Sequence, residues 1–149
     1  MSPHSLIGKE IAESTILQLR RSAEDILKNA YVPYSHFPVG AAILTDTGHI
    51  FQGCNIENAA YPSGLCAEAV AIGQMVATLG PMRIRAAYVA CRGHTAAWPC
   101  GNCRQRLNEF ADIGMWVYTS NEEGRTEAMR FQELLPHNFG AANLEEQNP

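Results

Sequence analysis

The chain carries no cluster of Lys or Arg, no apolar stretch approaching the roughly 20 residues of a membrane-spanning helix, and no internal repeat or low-complexity segment. The missing basic stripe argues against a nucleic-acid partner, because neutralising phosphates needs concentrated positive charge. Eleven Lys plus Arg face fifteen Asp plus Glu, a formal charge of -4. The missing apolar span argues against a membrane protein, and the start, Met1-Ser2-Pro3-His4, has no charged leader before an apolar run. A cytoplasmic protein is expected. Charged residues make up 17% and apolar residues 46%, which excludes a disordered or fibrous composition. The 149 residues suffice for one domain, expected over 1–149, with a single core.

An even set of cysteines is also lacking. Five cysteines without a secretory signal do not imply a disulfide framework, so metal binding or catalysis is the better use of them. Cys54 and Cys91 lie in apolar strand-like runs and are expected to be plain core. His4, His36, His49, His94 and His137 show no ligand spacing and are expected on the surface or in loops.

What is present is an alternation of strands and helices. Ile11, Ile16, Leu19, Ala23, Ile26 and Leu27 recur near helical spacing and predict an amphipathic helix over about 10–29. Residues 37–44 and 49–55 flank the turn Asp46-Thr47-Gly48 and predict a hairpin. Residues 66–79 are apolar on nearly every side and predict a buried helix ended by Gly80-Pro81. A strand over 84–91, a loop over 93–99, a helix over 101–111, a strand over 114–119 and a helical turn over 131–135 follow. The polar tail over 141–149 is expected to fray. The pattern implies an α/β layer structure with helices covering a mixed sheet.

Cys66-Ala67-Glu68, followed by Pro99-Cys100-Gly101-Asn102-Cys103, is the group that carries chemistry. Three thiols at this spacing can hold one zinc ion and leave its fourth position open, with a carboxylate close by to move protons. Both groups fall where a loop enters a helix, a setting that favours thiolates. Glu68 is the lone charge of its helix, which favours a catalytic role over a simple contact with the helix dipole. Two other readings stand beside this one. Cys100 and Cys103 could form a thioredoxin-like redox pair, which leaves Cys66-Ala67-Glu68 without a purpose. The thiols could also build a closed structural zinc site with Cys54, Cys91 or a His as fourth ligand, giving a binding module instead of an enzyme.

Longer motifs in order narrow the choice. Residues 33–42 (Pro33-Tyr34-Ser35-His36-Phe37-Pro38-Val39-Gly40-Ala41-Ala42), 53–61 (Gly53-Cys54-Asn55-Ile56-Glu57-Asn58-Ala59-Ala60-Tyr61), both cysteine groups, Arg104-Gln105 and the stretch from Leu134-Leu135-Pro136 to Phe139 resemble the short, homotetrameric, three-cysteine cytidine deaminases. The resemblance runs from about Tyr34 to Phe139. It implies a three-layer α/β/α fold with a mixed five-stranded sheet and a zinc ion in each subunit, bound by Cys66, Cys100 and Cys103. It also implies catalysis by Glu68 and hydrolytic deamination of cytidine or deoxycytidine to uridine or deoxyuridine with release of ammonia, in pyrimidine salvage. By the same resemblance Asn55 and Glu57 bind the sugar hydroxyls, and Phe37 packs on the nucleoside. The Ala67 backbone and Glu68 read the base, Ile56 sits in the nucleoside-binding segment, Tyr61 lines a subunit contact, and Phe139 enters a neighbouring subunit's site.

One position departs from the pattern. Most three-cysteine relatives place an Arg directly after the Glu, against the thiolates, and this chain has Ala69. Three thiolates leave a zinc centre with a net charge of about -1, so something positive must offset it. Helix N-terminal amides are expected to do so alone. Blasticidin S deaminases, a sister group, also carry an apolar residue at this point but lack the stretch Asn55 to Asn58. A modified cytosine nucleoside or a nucleoside antibiotic is therefore the alternative substrate, and a zinc-stabilised nucleoside-binding module the non-enzyme alternative.

Overall fold

The computed structural model describes residues 10–145. The first helix, α1 (Glu13–Ile26), begins after Ala12 and tightens into a 3-10 turn at Leu27–Asn29, so it starts three residues later than the apolar pattern predicts. Leu19 and Ala23 are fully buried on its inner stripe. The hairpin follows as β1 (Val39–Thr45) and β2 (Ile50–Cys54), paired antiparallel. Its turn contains Gly48 at φ +87°, a value that suits glycine.

The remaining elements are α2 (Ala67–Leu79), β3 (Ile84–Cys91), α3 (Gly101–Phe110), β4 (Ala111–Ser120), β5 (Thr126–Arg130), α4 (Phe131–Leu134) and α5 (Ala141–Glu145). The strands form one sheet in the order β2-β1-β3-β4-β5. β3 and β4 run parallel, with α3 as the crossover, and the other neighbours are antiparallel. The sheet is thus mixed and five-stranded, as the resemblance implies.

Alternation along the strands sends side chains to two cores. On one face Leu19, Ala23 and Leu27 meet Ala42, Leu44, Ala86, Tyr88 and Ala90. On the other, Ala71, Ile72 and Met75 of α2 and Leu107 of α3 meet Ile43, Phe51, Ala87, Met115 and Val117. Two glycines let the helices lie directly on the strands. A Cβ on Gly40 would come within 2.0 Å of the Ala23 carbonyl oxygen, and one on Gly53 within 2.4 Å of the Ala67 carbonyl oxygen. The second contact matters for function, because it seats the first turn of α2 against β2.

Two elements differ from the sequence expectation. β5 is an edge strand whose residues Thr126 to Ala128 are exposed, so it shows no apolar run. The Tyr88 hydroxyl meets Thr126 Oγ1 at 3.1 Å, and the Arg130 guanidinium lies 3.8 Å from the centroid of the Trp116 ring. Residues 141–145, expected in a frayed tail, form a short helix because Gly140 and Asn143 bond reciprocally, backbone N–H to side chain and backbone N–H to carbonyl. The start of the expected helix and tail residues 146–149 bracket this picture: residue 10 is described, and 146–149 lie outside the described residues.

Candidate active site

The start of β1 and the ends of β2 and β3 share one end of the sheet, with Val39 opposite Cys91 and Gly40 opposite Cys54. Both functional helices begin near this end. Cys66 is the N-cap of α2 and Cys100 the N-cap of α3, each in extended backbone, so their side chains sit beside free helix N–H groups. Cys103 lies one turn into α3 and is fully buried. The loop before Cys100 is tied down by Thr119 Oγ1 donating to the Ala97 carbonyl at 2.9 Å. Arg104 bridges the Pro99 carbonyl, at 2.8 Å, and the Leu134 carbonyl, at 2.9 Å.

These constraints bring the sulfurs of Cys66, Cys100 and Cys103 within 4.8 Å of one another, and those of Cys66 and Cys100 to 3.8 Å. A tetrahedral zinc with metal–sulfur bonds of about 2.3 Å requires sulfur–sulfur edges of about 3.8 Å. A disulfide, at about 2.05 Å, is a different arrangement. Among the described residues no His, Asp, Glu or further Cys joins the group, so Cys54 and Cys91 do not close it. The donor set suits zinc: soft thiolates, three protein ligands and a position left open, the pattern of catalytic rather than structural sites.

The electrostatics set the three sulfurs apart. Burial drives the Cys103 thiol far up, with the Glu68 charge adding to it. Burial also raises Cys66. At Cys100 burial acts in the same direction but is outweighed by hydrogen bonds from the Cys103 backbone N–H and the Cys66 thiol, and the pKa falls below the ordinary thiol value. A thiolate at a helix N-terminus accounts for that sign. Glu68 is 3% exposed, and burial holds its carboxyl above the usual carboxylate range against the Cys103 thiol and the Arg106 charge.

Beside the sulfurs lies a cavity of about 180 Å³ lined by Phe37, Val39, Asn55, Cys66, Ala67, Glu68, Val89, Ala97, Trp98, Pro99 and Cys100. Glu68 is its one carboxylate among the described lining residues. Phe37, Asn55, Ala67, Glu68, Cys66 and Cys100 are thus brought together, with Cys103 beneath them. Asn55 clamps the cavity wall: its Oδ1 accepts from the Val39 N–H and its Nδ2 donates to the Phe37 carbonyl, each at 2.9 Å. Each of those groups keeps one more hydrogen-bonding capacity.

The other substrate residues fall outside this cavity. Glu57 lines a neighbouring hollow with Tyr34, Ser35 and Tyr61. Its Oε1 accepts from the Tyr34 and Ser35 N–H groups at 3.0 and 3.1 Å, and hydrogen bonding to Ser35 holds its pKa below the usual carboxylate range. Ile56 is exposed and bridges Leu65 through reciprocal backbone bonds of 2.9 Å. Tyr61 is 76% exposed, with its ring edge-on to Tyr34. Phe139 is exposed as well, and its carbonyl is held by Gln105 and Asn108.

Two residues at the site went unassigned in the sequence. Trp98 walls the cavity, and its place beside Pro99 in the cysteine motif was the available signal. Arg106 donates from Nη1 to Cys103 Sγ at 3.6 Å. Its spacing of three from Cys103 puts both on one helix face. Helix amides are therefore not the sole positive partners of the thiolates, contrary to the expectation from Ala69.

Known proteins resemble this chain in sequence and fold. Residues 13–120 match the family model for the cytidine and deoxycytidylate deaminase zinc-binding region. A cytidine deaminase from Sporosarcina psychrophila is 40% identical over 132 residues, covering 89% of this chain and 93% of the relative. The crystal structure of a cytidine deaminase from Burkholderia pseudomallei superposes with a TM-score of 0.72 at 34% identity, covering 93% of this chain and 100% of that one. One from Mycobacterium tuberculosis does so at the same TM-score and 37% identity, covering 84% and 97%.

Proposed function

The chain belongs to the cytidine deaminases, a family of hydrolases, and from that premise we propose that it hydrolyses cytidine and deoxycytidine to the uracil nucleosides with release of ammonia. The observation that carries this reading is Glu68, a single buried carboxylate on a cavity lined by Cys66 and Cys100, two of the three clustered cysteines. The alternation of one acid and one metal centre is what hydrolysis of an aromatic amidine needs.

Cys66, Cys100 and Cys103 would hold one zinc ion per subunit, which when bound supplies Lewis-acid activation of water. The chain supplies the rest. Phe37 and Trp98 offer flat apolar walls for a pyrimidine ring. Glu68 takes a proton from the attacking water and delivers it to ring N3, then takes the proton of the new C4 hydroxyl and passes it to the departing amino group. A C4–O bond forms, the C4–N bond breaks, and ammonia leaves. Burial favours the protonated form of Glu68, which suits a group that takes up a proton and then hands it on. Asn55 and Glu57 bind the sugar hydroxyls, with the Ala67 backbone against the base.

The same reading makes the enzyme a homotetramer with shared sites. About 180 Å³ accommodates a base better than a whole nucleoside, since ligand pockets usually begin near 300 Å³. Tyr31, Tyr34, Ile56, Tyr61 and Phe139 are exposed, and a second copy would cover such a surface, with Ile56 in the nucleoside-binding segment, Tyr61 at the subunit contact and Phe139 entering a neighbour's site. A setting in cytoplasmic pyrimidine salvage follows from the family resemblance. Ammonia release from cytidine, deoxycytidine and 5-substituted nucleosides, with inhibition by a hydrated-pyrimidine analogue, tests the assignment. Turnover of cytidine and deoxycytidine supports it, and inertness toward all of them overturns it.

A further inference from the structure

We propose that Arg106 on α3 is the positioning residue that offsets the charge of the three-thiolate centre, a task that no side chain of α2 performs. The proposal rests on the reading of Cys66, Cys100 and Cys103 as a zinc centre. Zinc with three thiolates is net negative by about one charge, and the buried Glu68 adds a second negative group next to it. Such a cluster is costly in a half-buried site without a cation.

The surroundings leave one candidate. α2 contains no Lys or Arg from Ala67 to Leu79, and Ala69 offers no donor. Arg104, the nearest arginine in sequence to Cys103, is turned away to the Pro99 and Leu134 carbonyls. Arg106 instead points its Nη1 at Cys103 Sγ, 3.6 Å away, and makes no ion pair with a carboxylate among the described residues. Its charge is also felt at Cys66, Cys100 and Glu68. A guanidinium placed this way sets a positive charge directly against one sulfur of the centre and holds that side chain in place. Because the contact is to a ligand and not to the metal, its loss weakens the centre without dismantling it.

The test is zinc affinity by chelator competition on the full chain, with cobalt substitution to read the thiolate-to-metal charge-transfer band and thermal unfolding to confirm the fold. Arg106→Gln is expected to lose about 10- to 100-fold in zinc affinity and to change the cobalt band. Arg106→Lys, which keeps the charge, should recover most of the loss. Ala69→Arg in the Arg106→Gln background should recover affinity from the other helix. An Arg106→Gln protein with wild-type affinity and an unchanged cobalt band overturns the proposal, while Cys103→Ser losing zinc in the same assay leaves the zinc reading standing. A wild-type chain that binds neither zinc nor cobalt overturns the zinc reading instead.

Discussion

Beneath the cavity, Cys66, Cys103 and Glu68 sit in the first turns of helices pressed onto the sheet, with Gly53 at backbone contact distance and Cys103 fully buried. Outside it, Ile56, Tyr61, Phe139 and Glu57 lie on partly or largely exposed segments. The first region is complete within one chain. The second presents apolar rings to solvent that a folded monomer would have little reason to keep there. The contrast fits the division of tasks proposed for the site, in which one chain places the metal ligands and the proton carrier and a second copy completes the grip on the nucleoside.

The sharpest way to break this contrast is to damage the buried region. Cys103→Ser should abolish zinc retention and with it ammonia release, measured by metal analysis of the purified protein alongside the assay. Gly53→Ala follows. A Cβ there would collide with the Ala67 carbonyl and the Ala71 N–H, 2.4 and 2.5 Å away, and must push α2 outward. A cost of about 1–3 kcal/mol and a Tm lowered by several degrees are expected from overpacking. Moving Glu68 by even about 1 Å would lower kcat by about 100-fold. Calorimetry and steady-state kinetics check the two effects separately.

Effects at the exposed residues should be smaller and of another kind. Phe139→Ala should raise KM about tenfold, the worth of one aromatic contact, and leave kcat nearly unchanged. A matched fall in kcat would instead place Phe139 in the chemistry. Glu57→Gln should raise KM by a few-fold. Because the folded pKa of Glu57 lies below its ordinary value of 4.5, its contribution to stability is present above that value and fades as pH falls through the lowered one. Glu57→Gln should therefore flatten the acid side of a Tm-against-pH curve, and an unaltered curve would remove its bonds to Tyr34 and Ser35 from the account.

The same division governs what could be read from the residues alone. The cysteine group was legible because its spacing is local and its chemistry strict, and Glu68 stood out as the one charge in an apolar helix. The strand over Ile84–Cys91 was bounded correctly by its continuous apolar run. β5 escaped because an edge strand with exposed Thr126, Glu127 and Ala128 has no pattern to see, so the fifth strand was implied only by family resemblance. Arg106 escaped for a similar reason: on an exposed helix face it looks like any solvated charge until its distance to Cys103 is known. Nor does a sequence tell which valence of Asn55 faces the wall and which faces a ligand.

The most direct measurement is Glu68→Gln assayed for ammonia release from cytidine, with zinc content determined on the same sample. Wild-type zinc and a loss of turnover of about 100-fold or more are expected, since Gln keeps the shape of the residue but cannot carry the proton. Turnover near wild type with zinc in place would contradict this expectation and remove Glu68 from the reaction.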